Sequence, residues 1–172
     1  MSSALFLRAT AFCMLLGAAS AEAADTRPAL TGNWEGSYVC GQGVTGLTLT
    51  INKQSGATFS GTFHFFPLAK NANAKEGCFE VTGHFVTANR VFVGGSTWIS
   101  RPENYVTVDL DGQVGPDGRT IKGKVKIPEH LGALCTTFEL ALDAGPPATP
   151  AACQHTKSAD LGLPEPGAID YR

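Results

Sequence analysis

From Trp34 onward, apolar and polar positions alternate in short runs broken by turn residues, the period-two signature of half-buried strands. The pattern predicts eight strands, over residues 33–40, 45–53, 57–66, 77–86, 90–99, 104–114, 119–127 and 134–142. The breaks carry turn chemistry. Gly41-Gln42-Gly43 follows the first strand, Gln54-Ser55-Gly56 the second, and Pro116-Asp117-Gly118-Arg119 joins the sixth to the seventh. Short connections favour pairing of consecutive strands, so the expected topology is an antiparallel meander. No ten-residue segment in this region has a helical period.

An apolar-x-Gly-x-apolar pattern recurs five times, centred on Gly36, Gly61, Gly83, Gly112 and Gly123. Residues two apart on a strand share a face, so each glycine is expected on the core face with its two large neighbours. A glycine there weakens a strand unless it permits a sharp bend or makes room for a facing ring. A small barrel needs both, because its sheet coils tightly around a narrow interior. The expected fold is therefore all-β, an eight-stranded meander closed into a small up-and-down barrel. A two-sheet sandwich is the alternative.

The first residues change the picture of where this domain works. Arg8, the apolar run Ala9–Ala19 and Ala21-Glu22-Ala23 form the charged, apolar and small-x-small parts of an export signal. The run is shorter than the roughly 20 residues needed to cross a bilayer. Cys13 follows Thr10-Ala11-Phe12, without the small residue expected directly before a lipidated cysteine. Residues 1–23 are thus expected to be a signal peptide, 30–143 a β-barrel domain, and 144–172 a Pro/Ala-rich tail. The product is expected to be a soluble periplasmic or secreted protein with no transmembrane segment.

Export gives the cysteines a meaning. Cys40, Cys78, Cys135 and Cys153 remain after cleavage, and an even count in an exported chain predicts two disulfides. Sequence leaves three pairings open. If the sheet closes, its first and last strands become neighbours, placing Cys40 at the end of one beside Cys135 at the start of the other. That leaves Cys78 for Cys153, which would tether the tail. A metal site is not expected, because no Cys-x-x-Cys occurs and His64, His84, His130 and His155 are scattered.

The net charge of −2 and the lack of a basic cluster argue against nucleic acid as a partner. Lys122, Lys124 and Lys126 alternate along one strand and read as a solvated face. No Gly-x-Ser-x-Gly elbow and no nucleophile-base-acid set is visible, so no catalytic residue and no cofactor is expected. His64 and His84 are expected to face solvent, opposite the core positions of their strands. With Arg101 and Asp109 they would be the best residues for an enzyme, on residue type alone. The most distinctive stretch runs from Trp98 to Tyr105, with an aromatic on each side of Arg101-Pro102. Arg101 can stack on either ring or pair with a carboxylate, and the simpler reading is that it fixes the loop. Trp98, Arg101, Tyr105 and Gln42 (in the Gly-rich link after Cys40) are the candidate binding residues. Pro67 to Gly77, the longest internal connection, is a candidate by position.

Two resemblances follow from these residues. Trp34-x-Gly36-x-Tyr38-x-Cys40-x-Gln42-Gly43-x-Thr45-Gly46-Leu47, with Phe63-x-Phe65-Phe66-Pro67 and Trp98-Ile99-x-Arg101-Pro102-x-x-Tyr105, resembles a bacterial extracytoplasmic domain. That domain occurs in exported proteins of unassigned role and is sometimes appended to caspase-like peptidases. The resemblance implies location and brings no established activity; with no peptidase portion here, peptidase chemistry is not implied. Gly32-Asn33-Trp34 resembles the opening Gly-x-Trp of lipocalin and avidin-like barrels, which implies a calycin-like fold and small-ligand binding. Those barrels place a basic residue from the last strand on the Trp, whereas Leu134–Asp143 has no Lys or Arg. The expected function is a non-enzymatic binding module of the bacterial envelope or exterior, its partner unidentified, with a small apolar-ligand carrier as the alternative.

Overall fold

The structure is a computed structural model and describes residues 27–145 and 148–154. The expected signal peptide, His155 and the tail beyond it lie outside the described residues. Eight strands follow one another: β1 Gly32–Cys40, β2 Gly43–Ser55, β3 Thr58–Phe66, β4 Gly77–Phe85, β5 Arg90–Ser100, β6 Asp109–Val114, β7 Thr120–Lys126 and β8 Thr137–Leu142. Each pairs antiparallel with the next, and β8 returns to β1 from Trp34↔Leu142 to Tyr38↔Phe138. The sheet is a closed up-and-down barrel of the calycin-like kind, and the sandwich alternative falls with that last ladder.

Closure demands tight coiling, and the recurrent glycines supply it in the two ways anticipated. A Cβ at Gly36, Gly61 or Gly123 would collide with the carbonyl of Glu139, Thr50 or Asp111 on the neighbouring strand. At Gly83 and Gly112 it would enter the space of the Phe59 and Phe138 rings. The expected inward face holds for all five: Gly36 pairs with buried Leu47 and Leu140, Gly61 with Val81, Gly83 with Val93, Gly112 with Val91 and Gly123 with Phe138. Gly36, with no side chain, lets the β1 and β8 backbones approach closely. Register shifts at Ile51/Lys53 and along β4–β5 add local twist.

Inward side chains fill the barrel. Trp34, Leu47 and Leu140 are 0% exposed, with Leu49, Ile51, Phe63 and Phe79 at 1%. Trp34 plugs the end where β1 begins. Its Nε1 donates to the Leu30 carbonyl at 2.7 Å, and the Leu30 amide donates to Gln54 Oε1 at 2.7 Å. The segment before β1 is thereby strapped across that end with Leu30 buried beneath it.

Two expected strands begin several residues later than the pattern suggested. The sixth begins at Asp109, not at residue 104, because Asn104 has φ +62° and the chain turns there before it can pair. The eighth begins at Thr137, so Cys135 precedes the strand rather than starting it. The pairing deduced from closure nevertheless forms: Cys40 bonds Cys135 and Cys78 bonds Cys153. The second bond holds the short 3-10 turn Ala151–Cys153 against the outside of β3, β4 and β5. Among the described residues, no helix is long and apolar enough to cross a membrane.

Candidate functional site

The end opposite Trp34 is finished by the β1–β2 hairpin and by three long connections, 67–76, 101–108 and 127–136. A cavity of about 200 Å³ opens among them. Strand periodicity sends Tyr38, Phe63, Phe65 and Phe79 inward to form its floor. Phe63 stacks on Phe79 at 4.6 Å with 12° between planes, and Tyr38 meets Phe63 edge-on at 5.5 Å. Val106, Val108, Ile127, Leu131 and Leu134 make the walls, and Gln42, Asn104 and Tyr105 the polar rim. No charged residue lines the cavity. Val106 and Leu134, 42% and 57% exposed, are two of the three large apolar side chains exposed among the described residues.

Gln42 ties the rim together. Its Oε1 accepts from the Tyr105 hydroxyl at 2.5 Å and from the Lys75 amide at 3.2 Å, and its Nε2 donates to the Tyr38 hydroxyl at 3.0 Å. Its carbonyl accepts from Asn71 Nδ2 at 2.6 Å, and the same Nδ2 reaches the Val44 carbonyl at 3.1 Å. One glutamine in a tight hairpin thus positions two of the long connections. Burial pushes the Tyr38 hydroxyl far above its ordinary pKa, against the smaller opposing effect of hydrogen bonds with Gln42 and Thr45. The rim is neutral as well as polar.

The four residues singled out in the sequence meet at this end. Tyr105 lies parallel to Phe65 at 5.7 Å, and Trp98 packs edge-on against Phe65 and Phe79 at 6.2 and 5.1 Å. Arg101 Nε donates to the Tyr105 carbonyl at 3.0 Å, and its guanidinium lies 5.9 Å from the Trp98 ring centre. Gln42 and Tyr105 line the cavity; Trp98 and Arg101 stand behind it and hold the 101–108 loop, the simpler of the two roles open to Arg101.

Asn104 escaped sequence reasoning. It is the single non-glycine residue with positive φ among those described, in a turn closed by the Tyr105 amide on the Pro102 carbonyl at 3.4 Å. Asparagine tolerates this conformation, and Pro two residues earlier is the turn signal that could have marked it. Its side-chain amide lines the cavity and has no partner among the described residues.

His64 corrects an expectation. It points away from the barrel interior yet is only 8% exposed, because the 67–76 connection returns over the outside of β3. Its Nε2 lies 2.8 Å from Glu76 Oε1, its ring stacks on Phe66 at 5.2 Å, and its Nδ1 is buried without a protein partner. His84 is exposed, as expected. Asp109 Oδ1 accepts from the Gly95 amide at 2.9 Å, a strand contact. None of His64, His84, Arg101 and Asp109 lines the cavity. Among the described residues, no three His, Cys, Asp or Glu side chains group closely enough to hold a metal.

A wider hollow of about 880 Å³ lies at the Trp34 end, but it is a crease between Pro28 and the turns at Asn89 and Pro116. It has no aromatic floor. The chain matches no known family model, no curated protein and no solved structure.

Proposed function

We propose that the protein is an exported, non-enzymatic binding module of the bacterial envelope or exterior, which engages its partner at the loop-lined mouth of the barrel. One observation carries this reading: an uncharged aromatic cavity of about 200 Å³ opens between exposed Val106 and Leu134 on an otherwise polar rim. Two disulfides fit an oxidising compartment, and the export signal accounts for how the chain reaches it. The calycin-type carrier is less well supported. Pockets for drug-sized ligands take roughly 300–1,000 Å³, and below the Phe63–Phe79 stack this barrel is filled by its own side chains.

The test compares the oxidised protein with Val106→Asp and Leu134→Asp as baits for envelope extract. A partner captured by the parent and lost with either charge supports the reading. Capture indifferent to both charges places the partner elsewhere and refutes it. N-terminal sequencing of the exported chain is expected to begin at Ala24.

A further inference from the structure

We infer that the occupant of the mouth is a single tyrosine or tryptophan side chain presented by a partner protein. This rests on the mouth being the binding site and adds the chemistry of what fills it. Size is the first argument. An apolar cavity of roughly 150 Å³ accommodates benzene, so about 200 Å³ accommodates one ring with a substituent and little more. The floor is the second. Tyr38, Phe63, Phe65 and Phe79 offer faces and edges to a further ring, the geometry in which aromatic groups attract beyond simple burial.

Charge narrows the class. No charged side chain lines the cavity, so a carboxylate or ammonium entering it would lose hydration with no counter-ion. Polarity narrows it again. The Gln42 amide is already engaged by Tyr38, Tyr105 and Lys75, whereas the Asn104 amide is exposed at the rim, in contact with solvent and open to a ligand. An amide can both donate and accept, so it suits a phenol or an indole N–H equally. The turn at Asn104, with its φ of +62°, sets this amide at the rim. Finally, Val106 and Leu134 line the cavity yet stay 42% and 57% exposed, apolar surface that the residues flanking a ring on a polypeptide would cover.

The experiment follows backbone and Asn104 side-chain amide signals of the oxidised protein by NMR during titration. The probes are blocked Gly-Tyr-Gly, Gly-Trp-Gly, Gly-Phe-Gly and Gly-Asp-Gly peptides, p-cresol and toluene. Tyr and Trp peptides are expected to shift mouth residues and to bind about tenfold tighter than the Phe peptide, the factor one hydrogen bond supplies. The Asp peptide is expected not to bind. Asn104→Gly, which suits the positive φ and removes only the amide, is expected to bring the Tyr peptide down to the Phe peptide and leave toluene unchanged. Equal binding of Phe and Tyr peptides overturns the hydrogen-bonded ring. Binding of p-cresol without the Tyr peptide overturns the polypeptide source. If no probe shifts the mouth while Val106→Asp still abolishes partner capture, the ring inference falls and the mouth remains the binding site. If the charge variants also leave capture intact, both fall.

Discussion

At the Trp34 end the strands are joined by tight turns, around Gly56, around Ala88 and around Gly118, and Leu30 is strapped over a fully buried indole. At the other end the connections are long, both disulfides are found, and a cavity opens. The same eight strands thus end in two different solutions to one problem. Short turns leave little chain to order, so side-chain packing and the two hydrogen bonds of the Leu30 strap can seal the Trp34 end. Long connections cost more entropy to fix, and here they are held by cross-links and by the hydrogen bonds that converge on Gln42. A sealed end stabilises the barrel. A tethered but unsealed end can present a surface to a partner without asking the core to change.

The contrast is sharpest in stability. Trp34→Ala is expected to cost about 3–5 kcal/mol in urea unfolding, the range for emptying a buried aromatic site. Val106→Ser and Leu134→Ser, exposed at the mouth, are expected to stay within about 0.5 kcal/mol. Comparable losses at both ends would erase the distinction. Next in size is the cross-link nearest the cavity. Replacing Cys40 and Cys135 together with alanine is expected to cost about 2–5 kcal/mol, with hydrogen exchange accelerating first in 101–108 and 127–136. Acceleration that begins around Trp34 instead would mean that the bond supports the sealed end.

Smaller effects come from titration. Burial raises the Tyr38 pKa, so the folded state resists its ionisation. Stability linked to this group is complete below the ordinary tyrosine value of about 10 and is lost as pH rises through the raised folded value. Tyr38→Phe is expected to flatten that alkaline limb in thermal melts; an unchanged limb would show that the mouth is wetter than the buried hydroxyl implies. Smallest is the exposed pair at the start of β5. Arg90 forks onto Asp111 at 2.9 and 2.7 Å and holds its carboxyl below the usual range. Its contribution is present above the ordinary carboxylate pKa and fades as pH falls through the depressed value. Exposure makes it slight and salt-sensitive, so Asp111→Asn is expected to move the acid limb barely and only at low salt.

Most of the barrel was legible because its cause is local. Alternation fixed which residues face inward, and the five glycines announced a coiled sheet. Closure then made neighbours of Cys40 and Cys135, which lie 95 residues apart in the chain. The misreadings have a common origin at the mouth. Tyr105-Val106-Thr107-Val108 has the composition of a strand, but Tyr105 is drawn to Gln42 and Asn104 turns the backbone. His64 alternates as a solvent-facing residue should, and only the return of a distant connection buries it. Such placements depend on tertiary partners that no window of sequence contains. Trp98, Arg101, Tyr105 and Gln42 could be picked out by type, while their convergence could not. Of the cavity walls, Ile127 and Leu134 read as strand ends, and Leu131 gave no signal, because an isolated apolar residue in a loop looks like any other.

The two cross-links have a further consequence once the chain is viewed as a closed curve. The bond from Cys40 to Cys135 encloses every strand from β2 to β7 in a covalent ring, and the bond from Cys78 to Cys153 overlaps it. A protease that cuts once, anywhere between Cys40 and Cys153, leaves the two pieces joined. Any one of the long connections at the mouth, where proteolytic nicking concentrates, can therefore be cut once without releasing a fragment. After one such cut, only reduction separates the pieces covalently.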